Sequence, residues 1–516
     1  MKKYLIKTCL LACFAATLLT GCEKQLEISP KQAIDASTAL TTREAIESSI
    51  TGIYARLKSA RLYGRDLIAI PEALADNGFA TNKSGRLLPE AQNNQGAQLT
   101  TTIWTSNYAG INQINLTLEA IPTLSPGLSI TQTEINRWEG QLYFLRALFY
   151  FDMMKAYAYF PGAVVTALNK GGVPIILKGV STPDQAQMVF PARPPIDSVF
   201  DQIVSDFSKA NDRLLNTSAG VATSIASKSA AQGMLSRVNL YRNNFGEAKR
   251  WSDSCINLAG SRLSTTGTYV NQWRAPDHGE ALFQIRFATA AENIGVNESI
   301  QTSFSTLVTP GNTAVTGGFG DLVPTLTLLA DLGIAGPTTA NFGTNAVITA
   351  RSTDIRNLLF EVGTTGRGPA KVECTKFIGR SGAINLDNVP VMRIAEIYLN
   401  RAEAQATLGS PVFNLAAALA DLKTIKSRRY TDYTGSLQEA ADNAANQATL
   451  YAEILRQRRI ELAFEGHRFF DLKRLGRDLI KAPHYNTVAF TDTRILAPIL
   501  QADVDGNPNL QQNAGY

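Results

Sequence analysis

Histidine is nearly absent from this chain. Only His278, His467 and His484 occur in 516 residues. They stand in unrelated contexts with no His-x-x-x-His pair, which argues against a catalytic zinc. Cysteine is sparse as well: the five are Cys9, Cys13, Cys22, Cys255 and Cys374. Their spacing matches no metal site, and a chain this long needs no disulfide staple. There is no Gly-x-Ser-x-Gly elbow and no glycine-rich phosphate loop carrying a lysine. Long apolar runs are missing too. Leu10 to Leu19 is too short to cross a bilayer, and Arg146, Asp152 and Lys155 interrupt the most apolar helical stretch.

What is present is a large globular composition, with 45% apolar and 18% charged residues. The formal charge of +5 rests on 49 basic and 44 acidic side chains. Residues 1–21 hold three of the lysines and no acid. Without them the balance is close to neutral, so nothing electrostatic recommends nucleic acid as a partner.

The N-terminus carries the sharpest local signal. Lys2, Lys3 and Lys7 precede the apolar run, and Leu19-Thr20-Gly21-Cys22 closes it. This is the layout of a signal peptide over 1–21. Its ending resembles a bacterial lipobox, in which the cysteine thiol takes a diacylglycerol and becomes the new N-terminus. Cys22 is therefore the expected lipid-attachment site. Residues 22–36 are polar, contain Pro30 and read as a flexible lipid-anchored tether. Of the remaining cysteines, Cys255 and Cys374 are expected to be buried free thiols rather than a pair.

Helical periodicity dominates the rest. A helix-start signal stands at Thr41-Thr42-Arg43-Glu44. Trp138, Leu142, Leu145, Phe149, Met153 and Ala156 share one face of a helix predicted over 135–160, ended by Pro161-Gly162. An amphipathic helix covers 194–214. Two helix–turn–helix units, 226–258 and 391–424, resemble tetratricopeptide-type pairs in which alanines permit close approach. A last helix is predicted over about 448–474. Arg458, Glu461, Glu465, Arg468 and Asp471 would lie on one stripe of it, as a buried structural network. By contrast, 77–103 and 261–387 are rich in Gly, Ser, Thr and Asn, as irregular recognition loops on a rigid scaffold would be. The expected fold class is mostly α, with tetratricopeptide-like helical pairs in a single large body, an irregular loop-rich lobe and a few short strands.

These residues together resemble the SusD/RagB family of surface lipoproteins. The resemblance runs from Cys22 to Tyr516. It is carried by Thr51-Gly52-Ile53-Tyr54, by Trp104, Tyr108, Ile111 and Asn115, and by Gly140 to Phe151. Gly172-Val173-Pro174, Arg393 to Ala404, the Arg458–Arg474 block and the ending Gln512-Asn513-Ala514-Gly515-Tyr516 complete it. Departures are few: Gln457 where the family commonly has Glu, Ala514 where it has Pro, and a variant approach at Ala497-Pro498-Ile499. The resemblance implies an SusD-like N-terminal helical region over 37–260 and an SusD/RagB C-terminal region over 261–516. The latter divides into the lobe 261–387, a helical part 388–475 and a C-terminal segment 476–516. It also implies a non-enzymatic protein on the outer membrane that captures a nutrient, an oligosaccharide or peptide. The nutrient then passes to a SusC-like TonB-dependent transporter.

No binding residue transfers from the family's shared motifs. Ligand candidates follow from side-chain type and loop context instead: flat rings for sugar C–H faces and planar polar groups for hydroxyls. They are Asp76, Asn77, Phe79, Asn82 and Arg86 in the first irregular region, with Trp273, Arg274 and Asp277 in the second. Trp104, ahead of a helix, reads as core. Asp503-Val504-Asp505-Gly506-Asn507 fails the calcium-loop pattern because its glycine falls two positions early. No catalytic residue, metal ligand or cofactor is assigned, and a structural calcium elsewhere is left open. Two other readings stay open on residues alone. One is a surface-anchored glycoside hydrolase, whose paired carboxylates need not be close in sequence. The other is a non-catalytic scaffold for protein contacts.

Overall fold

The computed structural model describes residues 39–97, 102–187, 190–216, 223–379 and 383–516. The expected signal peptide over 1–21, Cys22 and the expected tether over 22–36 lie outside these residues. The first described helix, α1 (Arg43–Leu57), starts where the sequence signals it, with the Thr42 hydroxyl accepting from the Ala45 amide. Next come α2 (Asp66–Leu74), α3 (Thr102–Ala120) and the central helix α4 (Gln132–Tyr157). A Thr131/Glu134 capping box fixes the start of α4. Its end falls short of Pro161-Gly162: Ala158 is already extended, and Phe160 bridges to Ala163.

The long burial of α4 is possible because its charges are neutralised inside. Arg146 forks onto Asp206 at 2.7 and 2.8 Å and gives a third bond to Asn115. Asp152 accepts from the Tyr63 hydroxyl and pairs with Lys155 at 2.8 Å. The α3–α4 contact is close at Gly110, where a Cβ would lie 2.6 Å from the Phe149 ring.

From α4 the helices stack in succession. α5 (Ile196–Arg213) lies on α4, α6 (Lys228–Tyr241) on α5, α7 (Phe245–Ala259) on α6, and α8 (Ile394–Ala406) on α7. Both α9 (Leu415–Lys426) and α10 (Gln447–Glu461) then pack on α8. This is the expected tetratricopeptide-like stack, with an apolar core that takes in residues from Ile46 to Leu510. Cys255 and Cys374 are buried and free, and Trp104 is core at 4% exposure.

The sequence reading needs one correction at 448–474, which is not a single helix. α10 ends at Glu461, and α11 (Arg468–Arg474) restarts after a turn with Phe464 and Gly466 at positive φ. Gly466 has φ +81°, and a Cβ there would sit 2.4 Å from the Leu67 carbonyl oxygen. Glu72 of α2 accepts from the Gly466 and His467 amides at 2.9 and 3.2 Å. The charges of this block therefore pair across the turn and with distant elements, not along one stripe. Arg458 meets Asp471 at 2.9 Å, Arg474 meets Glu403 at 2.6 Å, and Glu465 meets Lys376 and Arg393. Glu461 accepts from Arg356, Arg393 and Arg429. Burial alone would raise the Glu461 carboxyl, but the three guanidinium groups hold it well below the usual carboxylate range. Such a network adds little net stability over an apolar core, but removing one member strands a buried charge.

The lobe hangs on this body through short antiparallel strands. β2 (Ala281–Ile285) pairs with β8 (Val389–Arg393), which runs directly into α8. β4 (Ile334–Ala335) pairs with β5 (Ala350–Arg351), and β6 (Phe360–Val362) with β7 (Val372–Cys374). β1 (Gly78–Ala80) pairs with β3 (Leu322–Pro324), so the first irregular region is joined to the second.

Candidate functional site

The β1–β3 pairing builds a face from two loop regions far apart in sequence. On its first side, Asp76 and Asn77 are fastened to the helical body. The Asp76 carboxylate takes Nε and Nη2 of Arg468 at 2.6 and 2.8 Å. Burial works to raise this carboxyl, yet Arg468 and Arg459 draw it below its ordinary value. Asn77, fully buried, accepts from Arg459 Nε and donates to Glu72, both at 2.8 Å. Both side chains are spent on holding the loop in place.

The loop beyond them carries the exposed chemistry. Asn82 is exposed at φ +59°. Arg86 donates from Nε and Nη2 to Asp321 at 3.1 and 2.7 Å, and Ser84 donates to the same carboxylate at 2.6 Å. The Arg86 guanidinium lies over the half-buried Phe319 ring, 4.7 Å from its centre. Arg367, exposed on the β6–β7 loop, lies over the same ring at 4.0 Å, steadied by an Nε bond to the Gly318 carbonyl at 2.9 Å. Phe79 belongs to an adjoining aromatic group. It meets Phe342 edge-on at 4.9 Å, His484 at 4.9 Å and Tyr485 in a stack at 5.7 Å. Planar groups with an apolar body and polar edges thus line one surface, the equipment a sugar ring requires.

Two carboxylates lie beneath. Asp321 and Glu373 are both 0% exposed. Burial raises each carboxyl. Ser84 and Arg86 oppose it at Asp321, and the Thr306 amide and Lys83 at Glu373. Glu373 also accepts from the hydroxyls of Ser305 and Thr306. Their oxygens are occupied and covered, so neither is placed to act on a bound sugar.

The second candidate group does not join this face as a unit. Trp273 is 7% exposed, edge-on to His278 at 4.4 Å and to Phe377 at 5.8 Å, with Lys376 and Arg393 over its ring. That burial corrects the expectation of a sugar platform: Trp273 has no free face to offer. Arg274 bonds the carbonyl and hydroxyl of Thr375. Asp277 accepts from Gln284 and Arg286, each at 3.2 Å. Sequence reasoning missed Lys83, Phe319, Phe342, Arg367 and His484. Only Phe319, within Gly317-Gly318-Phe319-Gly320, stood in a run unusual enough to find.

Two clefts of similar size open on the helical body. One, about 430 Å³, runs along α1 at Tyr54 and Trp138. Its rim charges are already paired as Glu47–Arg137, Lys58–Glu292 and Arg286–Asp277. The other, about 440 Å³, is lined by Trp104, Tyr108, Phe190 and Asp503 among others. The loop face differs from both in presenting, over an aromatic ring, a guanidinium with no carboxylate partner among the described residues, that of Arg367.

Residues 340–516 match the model of the SusD family, and residues 24–240 match a model described as starch-binding, associating with the outer membrane. The chain belongs to the SusD/RagB family. SusD-like protein P38 of Formosa agariphila is 24% identical to it over the full length of both chains. A SusD superfamily protein of Bacteroides thetaiotaomicron has the same fold, with TM-score 0.73, 25% identity and coverage of 92% of this chain and 99% of that one. A laminarin-binding SusD-like protein superposes with TM-score 0.66 at 18% identity, covering 92% and 100%. Among the described residues, no helix of this SusD-family chain is long and apolar enough to cross a membrane.

Proposed function

We propose that this chain captures an oligosaccharide on the Arg86–Phe319–Arg367 face and hands it to a TonB-dependent transporter of the outer membrane. A lipid on Cys22 holds it at that membrane, and 22–36 serve as the swinging tether. The observation that carries the reading is the pair of guanidinium groups over one half-buried ring. They stand on loops fastened to a rigid helical body, in a family with glycan-binding members. Capture of this kind calls for no cofactor and no catalytic residue. The covered state of Asp321 and Glu373 favours binding over hydrolysis. A tether keeps the effective concentration of the lid at the transporter mouth high without any contact between them.

The test is retardation of the soluble body (residues 23–516) on native gels containing polysaccharides, with reducing-sugar release measured in parallel. Retardation without release supports capture. Release of sugar would make the protein a hydrolase. Binding to peptides alone, or to neither pool, would leave a peptide receptor or a protein scaffold.

A further inference from the structure

The capture face has an unbalanced charge. Arg86 and Arg367 lie over Phe319, Lys371 lies over Phe342 and Lys83 stands beside Glu373, against the two carboxylates Asp321 and Glu373. Both acids are completely covered, whereas the Arg86 side chain is 25% exposed and Arg367 is open to solvent. A ligand approaching this face therefore meets cations first. Glu361, the partly exposed acid on the neighbouring strand, is already held by Arg274 and Thr375.

Arg86 is paired with Asp321, but the other three cations have no hydrogen-bonded carboxylate among the described residues. The Lys83 side chain is 6% exposed, and its ammonium has no hydrogen-bond partner. The nearest carboxylate, Glu373, is 3.7 Å away. Lys371 gives its ammonium to the carbonyls of Phe342 and Thr344, not to an acid. Arg367 uses only Nε, on Gly318. Its two terminal nitrogens meet no acceptor among the described residues. An unsatisfied buried ammonium is costly, and a free guanidinium fork matches the paired oxygens of a carboxylate or sulfate.

We infer that the captured sugar is anionic, an oligosaccharide bearing uronate carboxylates or sulfate esters, with Arg367 reading the anion and Lys83 supplying positive field from below. This rests on the capture reading above and narrows it. A neutral sugar would leave Arg367 without a counter-charge, and stacking alone does not require that charge.

The experiment titrates the soluble body with five probes: polygalacturonate and alginate for uronates, κ-carrageenan for sulfate esters, and starch and laminarin as neutral glycans. At least one anionic probe is expected to bind. That affinity should fall tenfold or more between 50 and 500 mM NaCl and tenfold or more in Arg367→Ala. Arg367→Lys should recover part of it. Phe190→Ala, in the remote cleft, should bind like the parent. Lys83→Met provides a second variant, with circular dichroism confirming the fold of each. Salt-independent binding to starch or laminarin only, unchanged in Arg367→Ala, would overturn the anionic assignment and leave glycan capture standing. Anionic binding that neither variant weakens would also overturn it. Absence of binding to all five probes would overturn the capture reading itself.

Discussion

Arg459 donates from Nε to the side-chain oxygen of Asn77 at 2.8 Å, across 382 residues of sequence. Asn77 in turn donates to Glu72, which caps the turn at Gly466. One buried amide thus couples the start of the recognition loop to the Arg-rich block. Replacing it should therefore damage both. Asn77→Ala leaves Arg459 and Glu72 each short of a buried partner, and about 2 kcal/mol of stability should be lost. Urea unfolding measures this directly, and ligand affinity should fall along with it because the loop loses its anchor.

Trp273→Ala should act oppositely to a binding-site mutation. The indole is buried between Lys376, Arg393, His278 and Phe377. Its removal should cost about 3–5 kcal/mol, seen as a lower denaturation midpoint. Affinity measured by calorimetry well below that midpoint should be unchanged.

Acid should loosen the Arg-rich block in a defined window. Burial works to raise the Asp471 carboxyl, but Arg458 and Arg474 prevail and hold it at about 2. Glu453 is also at about 2, against burial, through Arg456 and Lys426. A carboxyl whose folded value lies below its unfolded one contributes stability that is complete above its unfolded pKa. That stability is lost as pH falls toward the folded value. Asp471 alone should account for about 2 kcal/mol, disappearing between about pH 4 and pH 2. Denaturant midpoints across that range check it. Asp471→Asn should be less stable at neutral pH and show a shallower acid slope.

Cys22→Ala should separate binding from delivery. The variant should bind glycan in solution like the parent, yet partition away from the outer-membrane fraction and fail to support growth on the glycan. Normal uptake by this variant would contradict the tethered-lid reading.

The helical body was legible because its signals are local. The Thr41-Thr42-Arg43-Glu44 start signal and the apolar stripes of the main helices each sit within a few turns of chain. The break between Glu461 and Arg468 was not legible. Ala463, Phe464 and Glu465 suit a helix, and the left-handed Gly466 is dictated by the Leu67 carbonyl from another part of the sequence. The site divides in the same way. Arg86 was identified by type and loop context. Phe319 and Arg367 join it only through the β1–β3 pairing and the packing of two loops, which no local pattern encodes. Trp273 misled because a tryptophan in a polar, glycine-containing segment looks exposed. Its ring is covered by Phe377, Lys376 and Arg393, all at least a hundred residues further along the chain.

The affinity of Phe319→Ala for the glycan that retards the parent tests the central claim most directly. Calorimetry should show at least a tenfold loss, with the thermal midpoint held within a few degrees and Phe190→Ala indistinguishable from the parent. Unchanged affinity in Phe319→Ala, with the loss appearing in Phe190→Ala instead, would move the capture site to the cleft beside Trp104 and contradict the account.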